Sequence, residues 1–334
     1  MSDTSPEELD KIKQNNLIVE QLQLKMMQAT GTNRRGQHFK QHGCVEAVFS
    51  VADDLPEQLK VGLFAKAADY QAYIRFSNGG KLDDNQPDIH GMAIKLLEVH
   101  GDKILAGEES ATTHDFVLAD NPVFFIRTAD EYAIFIEDFA TSSAQNKPPL
   151  KFIAWLLENY PADVKVFKEF SQHKLDTPLT GSYWSQLPYF FGREKQKLCR
   201  YSVTPGEANH PGDIEGDARD ENYLRTELVT GLSDGRVASF DFHVQLNENT
   251  DYDIVNNPTI QWDTPIYKVA TITIGTQEFN TPERDKFSEN LSFTPWHALS
   301  EHCPAGEVND IRKQVYIASS TLRHKTNGII RSEP

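Results

Sequence analysis

The stretch AYIRFS, residues Ala72–Ser77, decides the fold class of this chain. Positions 72, 74 and 76 carry apolar side chains, whereas Arg75 and Ser77 share the other face. Such alternation is typical of a β-strand with one buried face. Similar β-rich runs follow at Met92–Val99, Lys103–Leu105, Asp115–Ala119, Phe240–Leu246 and Tyr267–Gly275. Many short strands separated by turns predict an α+β protein built on an antiparallel β-barrel with surrounding helices.

Helical patterns flank these strands. Pro148–His173 is helical in pattern, and Pro161 must kink or split it because proline lacks the backbone N–H. A last helix is predicted at about Gly306–His324. The apolar stripe of Pro6–Gln28 is loose, so we expect an N-terminal helical arm over residues 1–33. Residues 34–334 are expected to form a single domain, because no repeat or linker divides them.

Composition excludes several classes of function. The chain has 334 residues and a formal net charge of -16, which argues against binding to nucleic acids or anionic membranes. Its three cysteines are too few and scattered for a disulfide framework or a zinc cluster, and their odd number fits a reducing compartment. It shows neither a signal-peptide pattern nor a run of about 18 apolar residues, so we expect a cytoplasmic protein with no membrane span.

The last predicted helix carries a candidate metal ligand. Arg312 and Tyr316 lie four residues apart and therefore share a face, which Arg323 continues. A guanidinium beside a phenol favours the phenolate, and tyrosine is one of the residues that hold haem iron. The same spacing also fits a surface Arg–Tyr pair without function, so the helix alone leaves both interpretations open.

Four segments, in the same order along the chain, resemble the haem-dependent catalase superfamily. They are Arg34–Lys40 (RRGQHFK), Arg75–Ser77 with its continuation Pro87–Lys95, Asp115–Arg127, and Arg312–Tyr316 followed by Arg323. The resemblance implies a catalase-type barrel with haem b buried between the barrel and the C-terminal helix. It also implies an oxidoreductase that acts on peroxides. Compact members of that superfamily include small catalase-like peroxidases and allene oxide synthases.

The resemblance implies a role for each matching residue. Tyr316 would be the axial iron ligand, and Arg312 would keep its phenol ionised. His38 would be the distal acid–base residue, with Ser77 fixing its tautomer. The cofactor would be held by Arg35, Arg75 and Arg323 at the propionates, Phe124 and Phe125 on the distal side, and Tyr132 over the ring. We expect the face of Arg75 and Ser77 to be the inside of the barrel, against a haem edge.

The distal segment departs from the catalase pattern. Catalases carry an asparagine three residues before the proline of this segment, and that position here is Ala119. Only a change of register would bring Asn121 inward instead. Because the amide helps to orient hydrogen peroxide, its absence favours peroxidase or organic (fatty-acid) hydroperoxide chemistry over fast dismutation.

Two other functions fit the same residues. One is a non-enzymatic haem-binding sensor or storage protein, and the other is an apo barrel that binds an apolar ligand. The expected partner is a peroxide or organic hydroperoxide, and a homo-oligomer is compatible with the sequence. Because the chain ends soon after the last helix, it lacks the region from which a nicotinamide nucleotide is inferred in catalases, and none is expected here.

Overall fold

The computed structural model describes residues 35–143, 147–170, 172–212 and 219–330, together with five isolated positions near the N terminus. These five positions (10, 14, 17, 21 and 24) are helical and exposed. The rest of the predicted arm, residues 1–33, lies outside the described residues, as does Arg34, so the arm and its boundary stay predictions. No helix in the described part of the chain is long and apolar enough to cross a bilayer.

The described residues contain nine strands in one antiparallel sheet. They are β1 (Lys40–Val51), β2 (Ala68–Asn78), β3 (His90–Leu96), β4 (His114–Ala119), β5 (Tyr183–Trp184), β6 (Tyr189–Phe190), β7 (Leu198–Pro205), β8 (Ala238–Asn247) and β9 (Ile266–Ile274). Eight of them pair in the order β1-β2-β3-β4-β5-β7-β8-β9, and β9 pairs back with β1. The sheet therefore closes into a barrel without open edges, while β6 lies beside β5 along β7. The predicted run Lys103–Leu105 makes only an isolated bridge, from Lys103 to Leu299.

Apolar side chains from all eight barrel strands fill the interior. Ile74 and Phe76 of β2 belong to this core and are fully buried, as their alternation predicted. Because side chains alternate along a strand, Arg75 and Ser77 face outward. The expectation that they face the inside of the barrel is wrong. Both are nevertheless buried, since other parts of the chain cover the outer face of β2.

Seven helices surround the barrel in the described residues. They are α1 (Ala129–Ser143), α2 (Leu150–Asn159), α3 (Asp163–Phe170), α4 (Tyr223–Gly231), α5 (Tyr252–Asn256), α6 (Pro282–Asn290) and α7 (Glu307–Asn327). The segment around Pro161 is split into α2 and α3, as predicted. In helix α6, Thr281 is the N-cap and accepts a hydrogen bond from the backbone N–H of Arg284, and Pro282 occupies the first turn.

Aromatic side chains hold α1, α2 and α3 together. Phe152 of α2 is fully buried and contacts the rings of Phe125, Phe135 and Phe167 at 5.2–6.2 Å between centroids. Ile311 of α7 belongs to the same cluster. This three-helix layer therefore packs directly against the helix that carries Arg312 and Tyr316.

Candidate functional site

His38 is held against the outer face of the barrel immediately before β1. Its backbone N–H donates to the carbonyl of Gly79 at 2.8 Å, and its φ of 52° lies in the left-handed region, which is uncommon for residues other than glycine. Its Nδ1 lies 3.2 Å from Oγ of Ser77. Gly91 pairs with Ser77 and leaves room for the ring, because a Cβ at Gly91 would lie 2.6 Å from Nδ1 of His38.

The surroundings of His38 keep its ring neutral. Desolvation and the nearby Arg75 guanidinium lower the pKa of His38 to about 3, and Arg312 and Arg35 act in the same direction. At neutral pH the imidazole therefore carries no charge and can accept a proton. These interactions place the charges of Arg35, Arg75 and Arg312, from three separate parts of the chain, within electrostatic range of this ring.

Arg312 and Tyr316 form the second half of the site on α7. Nη2 of Arg312 lies 3.1 Å from the Tyr316 hydroxyl, and Nη1 donates to Oδ1 of Asn309 at 3.1 Å. Desolvation opposes the charge on Arg312, but its interactions with Tyr316 and Tyr189 raise its pKa above the ordinary value. The guanidinium is therefore positively charged and in place to stabilise a phenolate at Tyr316.

Tyr132 and Tyr189 lie close to this pair. Burial raises the pKa of Tyr132, and the interaction with Tyr316 raises it further. Burial likewise raises the pKa of Tyr189, whose hydroxyl has no hydrogen-bond partner among the described residues. Both neighbouring phenols therefore stay protonated, and the Arg312 guanidinium acts on Tyr316 in preference to them.

Three guanidinium groups meet near the C-terminal end of α6. Arg35 donates to the carboxylate of Glu289 at 3.1 Å, and Arg323 lies 3.6 Å from the other oxygen of this carboxylate. Arg35 and Arg323 also donate to the carbonyl of Leu291 at 2.6 and 3.1 Å, where the negative end of the α6 dipole attracts cations. Arg75 is the third cation: burial and the repulsion of Arg35 lower its pKa to about 9.

The donors of this cluster are not all satisfied within the described chain. Nε and Nη2 of Arg75 and Nε of Arg323 are buried without a hydrogen-bond partner there. Buried donors are normally paired, and an unpaired one is costly. Among the described residues, the three cations share a single carboxylate, Glu289, which leaves two positive charges uncompensated. A ligand with two carboxylates fits this cluster, and haem b carries two propionates.

The aromatic residues predicted to line the site lie in two settings. Phe125 is buried in the helical layer against Phe170, at 4.5 Å between ring centroids. Phe124 is half-buried and contacts Phe125 at 4.9 Å. Tyr132 is buried on α1 within reach of Arg312. Phe124 is thus the more accessible of the two phenylalanines.

The end of β4 carries no amide toward the distal space. Ala119 lies on the outer face and pairs with Gly91. The carboxylate of Asp120 accepts from the backbone N–H of His90 at 2.7 Å and lies 2.6 Å from Nδ1 of its ring. The side-chain amide of Asn121 donates to the carbonyl of Val123 at 2.6 Å and so belongs to its own loop. The position beside Gly91 therefore carries only the methyl group of Ala119.

No protein-family model matches this chain, and no curated protein matches it. Solved structures do match: a fungal catalase aligns with 87% of this chain at a TM-score of 0.66 and 15% identity. The chain has the catalase fold. A bacterial catalase aligns with 90% of the chain, and catalase A from Saccharomyces cerevisiae with 87%, both at a TM-score of 0.63 and 16% identity. The alignments cover 58–60% of those catalase chains, so this chain spans about three fifths of their length.

Within this catalase fold, the predicted residues assemble as two groups and one cluster: His38 with Ser77, Arg312 with Tyr316, and Arg35 with Arg75 and Arg323. Sequence reasoning missed Glu289 and Asn309. Asn309 lies three residues before Arg312, so helical spacing could have found it. Glu289 lies 254 residues from its partner Arg35, and no sequence signal pairs them.

Proposed function

We propose that this protein binds haem b and reduces peroxides; Tyr316 would hold the iron, and His38 would move the proton of the peroxide. One observation carries the proposal: a neutral histidine, a guanidinium–phenol pair and an uncompensated cluster of cations lie around one region outside the barrel. Each matches a chemical need of a ferric porphyrin dianion with two carboxylates. The likeness of fold to catalases supports the same conclusion.

Arg312 donates to the oxygen of Tyr316, which would hold the iron, and Asn309 orients the guanidinium. An anionic oxygen is a hard ligand suited to ferric iron. At the edge, Arg35, Arg75 and Arg323 hold the two propionates through charge-assisted hydrogen bonds. The bound haem would supply two-electron redox chemistry at iron, which no protein side chain provides.

On the distal side, His38 moves the proton. With the proton of the neutral ring on Nδ1, 3.2 Å from Oγ of Ser77, Nε2 would be the basic nitrogen. Nε2 accepts the proton of the incoming peroxide and returns it to the leaving oxygen as the O–O bond breaks. Because the pKa of His38 is about 3, the ring is neutral throughout the physiological range.

We further propose that organic hydroperoxides are preferred and that dismutation of hydrogen peroxide is slow. Ala119 and Gly91 carry only a methyl group and a hydrogen atom at paired positions on the outer face, and Phe124 presents a half-buried apolar ring. An alkyl group fits such surroundings. Without an amide donor at position 119, a second hydrogen peroxide is poorly oriented for oxidation to oxygen.

The proposal is tested on protein reconstituted with haem b. We expect the wild type to bind haem and, with guaiacol as the electron donor, to convert a fatty-acid hydroperoxide to its alcohol faster than it releases oxygen from hydrogen peroxide. Tyr316→Phe should lose the haem or shift its absorption spectrum, whereas the exposed Tyr252→Phe should match the wild type.

Three results would contradict the proposal. Wild-type absorption in Tyr316→Phe would exclude tyrosine ligation. A wild type that binds haem but reacts with neither peroxide would be a sensor or storage protein. A wild type that takes up no haem would be an apo barrel.

A further inference from the structure

An aromatic cluster that includes Tyr132 extends from α1 to the surface of α2. Tyr132 interacts electrostatically with Tyr316 and belongs to the aromatic cluster of the helical layer. Phe135 lies three residues further along α1 and therefore on the same face as Tyr132. Its ring packs edge-on against Phe152, with 5.2 Å between centroids.

The cluster continues along α2 and reaches solvent at Trp155. The rings of Phe152 and Trp155 are stacked, with 6.2 Å between centroids and 15° between planes. Phe152 is fully buried, whereas Trp155 is half-buried. The indole is therefore an easily oxidised ring that contacts the buried cluster on one side and water on the other.

Tyr160 extends the cluster but is a poorer electron donor. Its ring lies 5.7 Å from that of Trp155, and the guanidinium of Arg127 lies over its face at 4.2 Å. A cation over a ring is attracted to the electron-rich neutral form, so it opposes the removal of an electron. No cation lies over Trp155 among the described residues. Of the two surface rings, Trp155 is thus the one from which an electron leaves more easily.

We propose that Trp155 is a surface oxidation site for phenols that are too large to enter the haem-binding site. This inference rests on the proposed function, which supplies peroxide as the oxidant. Trp155 passes one electron inward through the packed rings and regains one from a phenol at the surface. Phe135 and Phe152 are not themselves oxidised; they fill the gap between Tyr132 and the indole.

The reaction balances with two phenols for each peroxide. Reduction of a hydroperoxide to its alcohol and water breaks the O–O bond and consumes two electrons and two protons. Each phenol gives one electron to the oxidised indole and one proton to water, and it leaves as a phenoxyl radical. Two such transfers supply both electrons, and the two protons released replace those consumed at the peroxide.

The experiment compares two phenols on the haem-reconstituted protein with a fatty-acid hydroperoxide. Free guaiacol is small enough to enter the site, whereas a phenol attached to polyethylene glycol is not. Trp155→Phe preserves a packed ring but removes the oxidisable indole. We expect it to oxidise the polymer-linked phenol at least roughly tenfold more slowly, with guaiacol oxidation within about twofold of wild type. Trp155→Tyr, which keeps an oxidisable ring, should restore part of the rate, and Tyr252→Phe should change neither rate.

A radical trap gives a second measurement that does not depend on turnover. In the peroxide-treated wild type, mass spectrometry should find the nitroso trap on Trp155, and Trp155→Phe should lack this adduct. Two results would overturn this inference and leave the proposed function standing. One is oxidation of the polymer-linked phenol by Trp155→Phe at the wild-type rate, and the other is a trap adduct found only at residues other than Trp155. Failure of the wild type to consume peroxide with guaiacol would overturn the proposed function and this inference together.

Discussion

At the residue scale, the distal chemistry depends on how closely small side chains pack around His38. Gly91 and Ala119 are paired on neighbouring strands, and their side chains are only a hydrogen atom and a methyl group. The hydrogen bond between Oγ of Ser77 and Nδ1 of His38 orients the imidazole ring. Small substitutions here should change the reaction without disturbing the barrel, because all of these residues lie on its outer face.

Ala119→Asn should introduce the missing amide donor. We expect release of oxygen from hydrogen peroxide to rise by at least roughly tenfold, since a donor that orients a reacting oxygen commonly contributes more than that. Oxygen-electrode measurements check this. Ala119→Leu is the matched control, because it adds similar bulk without a donor and should bring no gain. Unchanged oxygen release in Ala119→Asn would show that the missing amide at position 119 is not what slows dismutation.

Gly91→Ala should displace the imidazole. The added Cβ would lie 2.6 Å from Nδ1 of His38 and 3.0 Å from Oγ of Ser77, so one of them must move. Because positioned acid–base catalysis contributes about 100-fold or more, we expect peroxide cleavage to fall by roughly that factor while haem absorption is retained. Gly80→Ala meets nothing within 4 Å and should behave as wild type in stopped-flow measurements. Equal rates for both variants would show that His38 is not held as described.

At the element scale, α7 is supported from two sides. The end of α6 binds Arg323 through the Glu289 carboxylate and the Leu291 carbonyl, and the aromatic layer of α1–α3 packs against Ile311. Helix α7 is therefore positioned by tertiary contacts more than by its own apolar stripe, as is usual for protein helices.

Phe152→Ala should destabilise this layer. The side chain is fully buried among aromatic rings, so its removal leaves a cavity and should lower the free energy of unfolding by about 3–5 kcal/mol. Urea denaturation followed by tryptophan fluorescence measures the loss. Leu157→Ala on the same helix removes a side chain that is 57% exposed and should cost less than about 0.5 kcal/mol. A loss in Phe152→Ala as small as that of Leu157→Ala would mean that the layer is loosely packed.

At the scale of the whole molecule, burial makes several histidines costly to protonate. Burial lowers the pKa of five of them: to about 3 at His38, to about 4 at His302, well below the ordinary value at His42 and His114, and also at His243. The pKa of His297 shifts in the opposite direction. Burial opposes its charge, but the carboxylate of Asp115 outweighs burial and raises the pKa. Acid therefore weakens the fold at these five histidines and strengthens it at His297.

We expect the free energy of unfolding to fall as the pH drops from about 6.5 toward 4. In that window the unfolded chain binds protons at these histidines and the folded chain does not, so stability declines with falling pH. The contribution of His297 has the other sign and is lost as the pH rises above about 6.5. Urea denaturation from pH 7 to pH 4 measures the slope. The slope gives the number of protons taken up on unfolding, which His302→Gln should reduce by up to one. The exposed His100→Gln should leave the slope unchanged. Equal slopes in the wild type and both variants would contradict a lowered pKa at His302.

The sequence by itself determined the local features of this protein. Alternation in Ala72–Ser77 predicted a strand with Arg75 and Ser77 on one face, Pro161 divided a helical run, and a four-residue spacing brought Arg312 to the phenol of Tyr316. These features depend on the period of a strand or a helix, or on the missing N–H of proline, which act over a few residues.

Only the tertiary structure decided which face of β2 lies inside the barrel, because alternation separates two faces without saying which one is enclosed. The same holds for the meeting of Arg35, Arg75 and Arg323 around Glu289, which lies 254 residues from Arg35 along the chain. Closure of the sheet and the packing of α6 and α7 on its outer face bring these charges together. Their electrostatic balance is a property of the folded surface, and no local pattern in the chain encodes it.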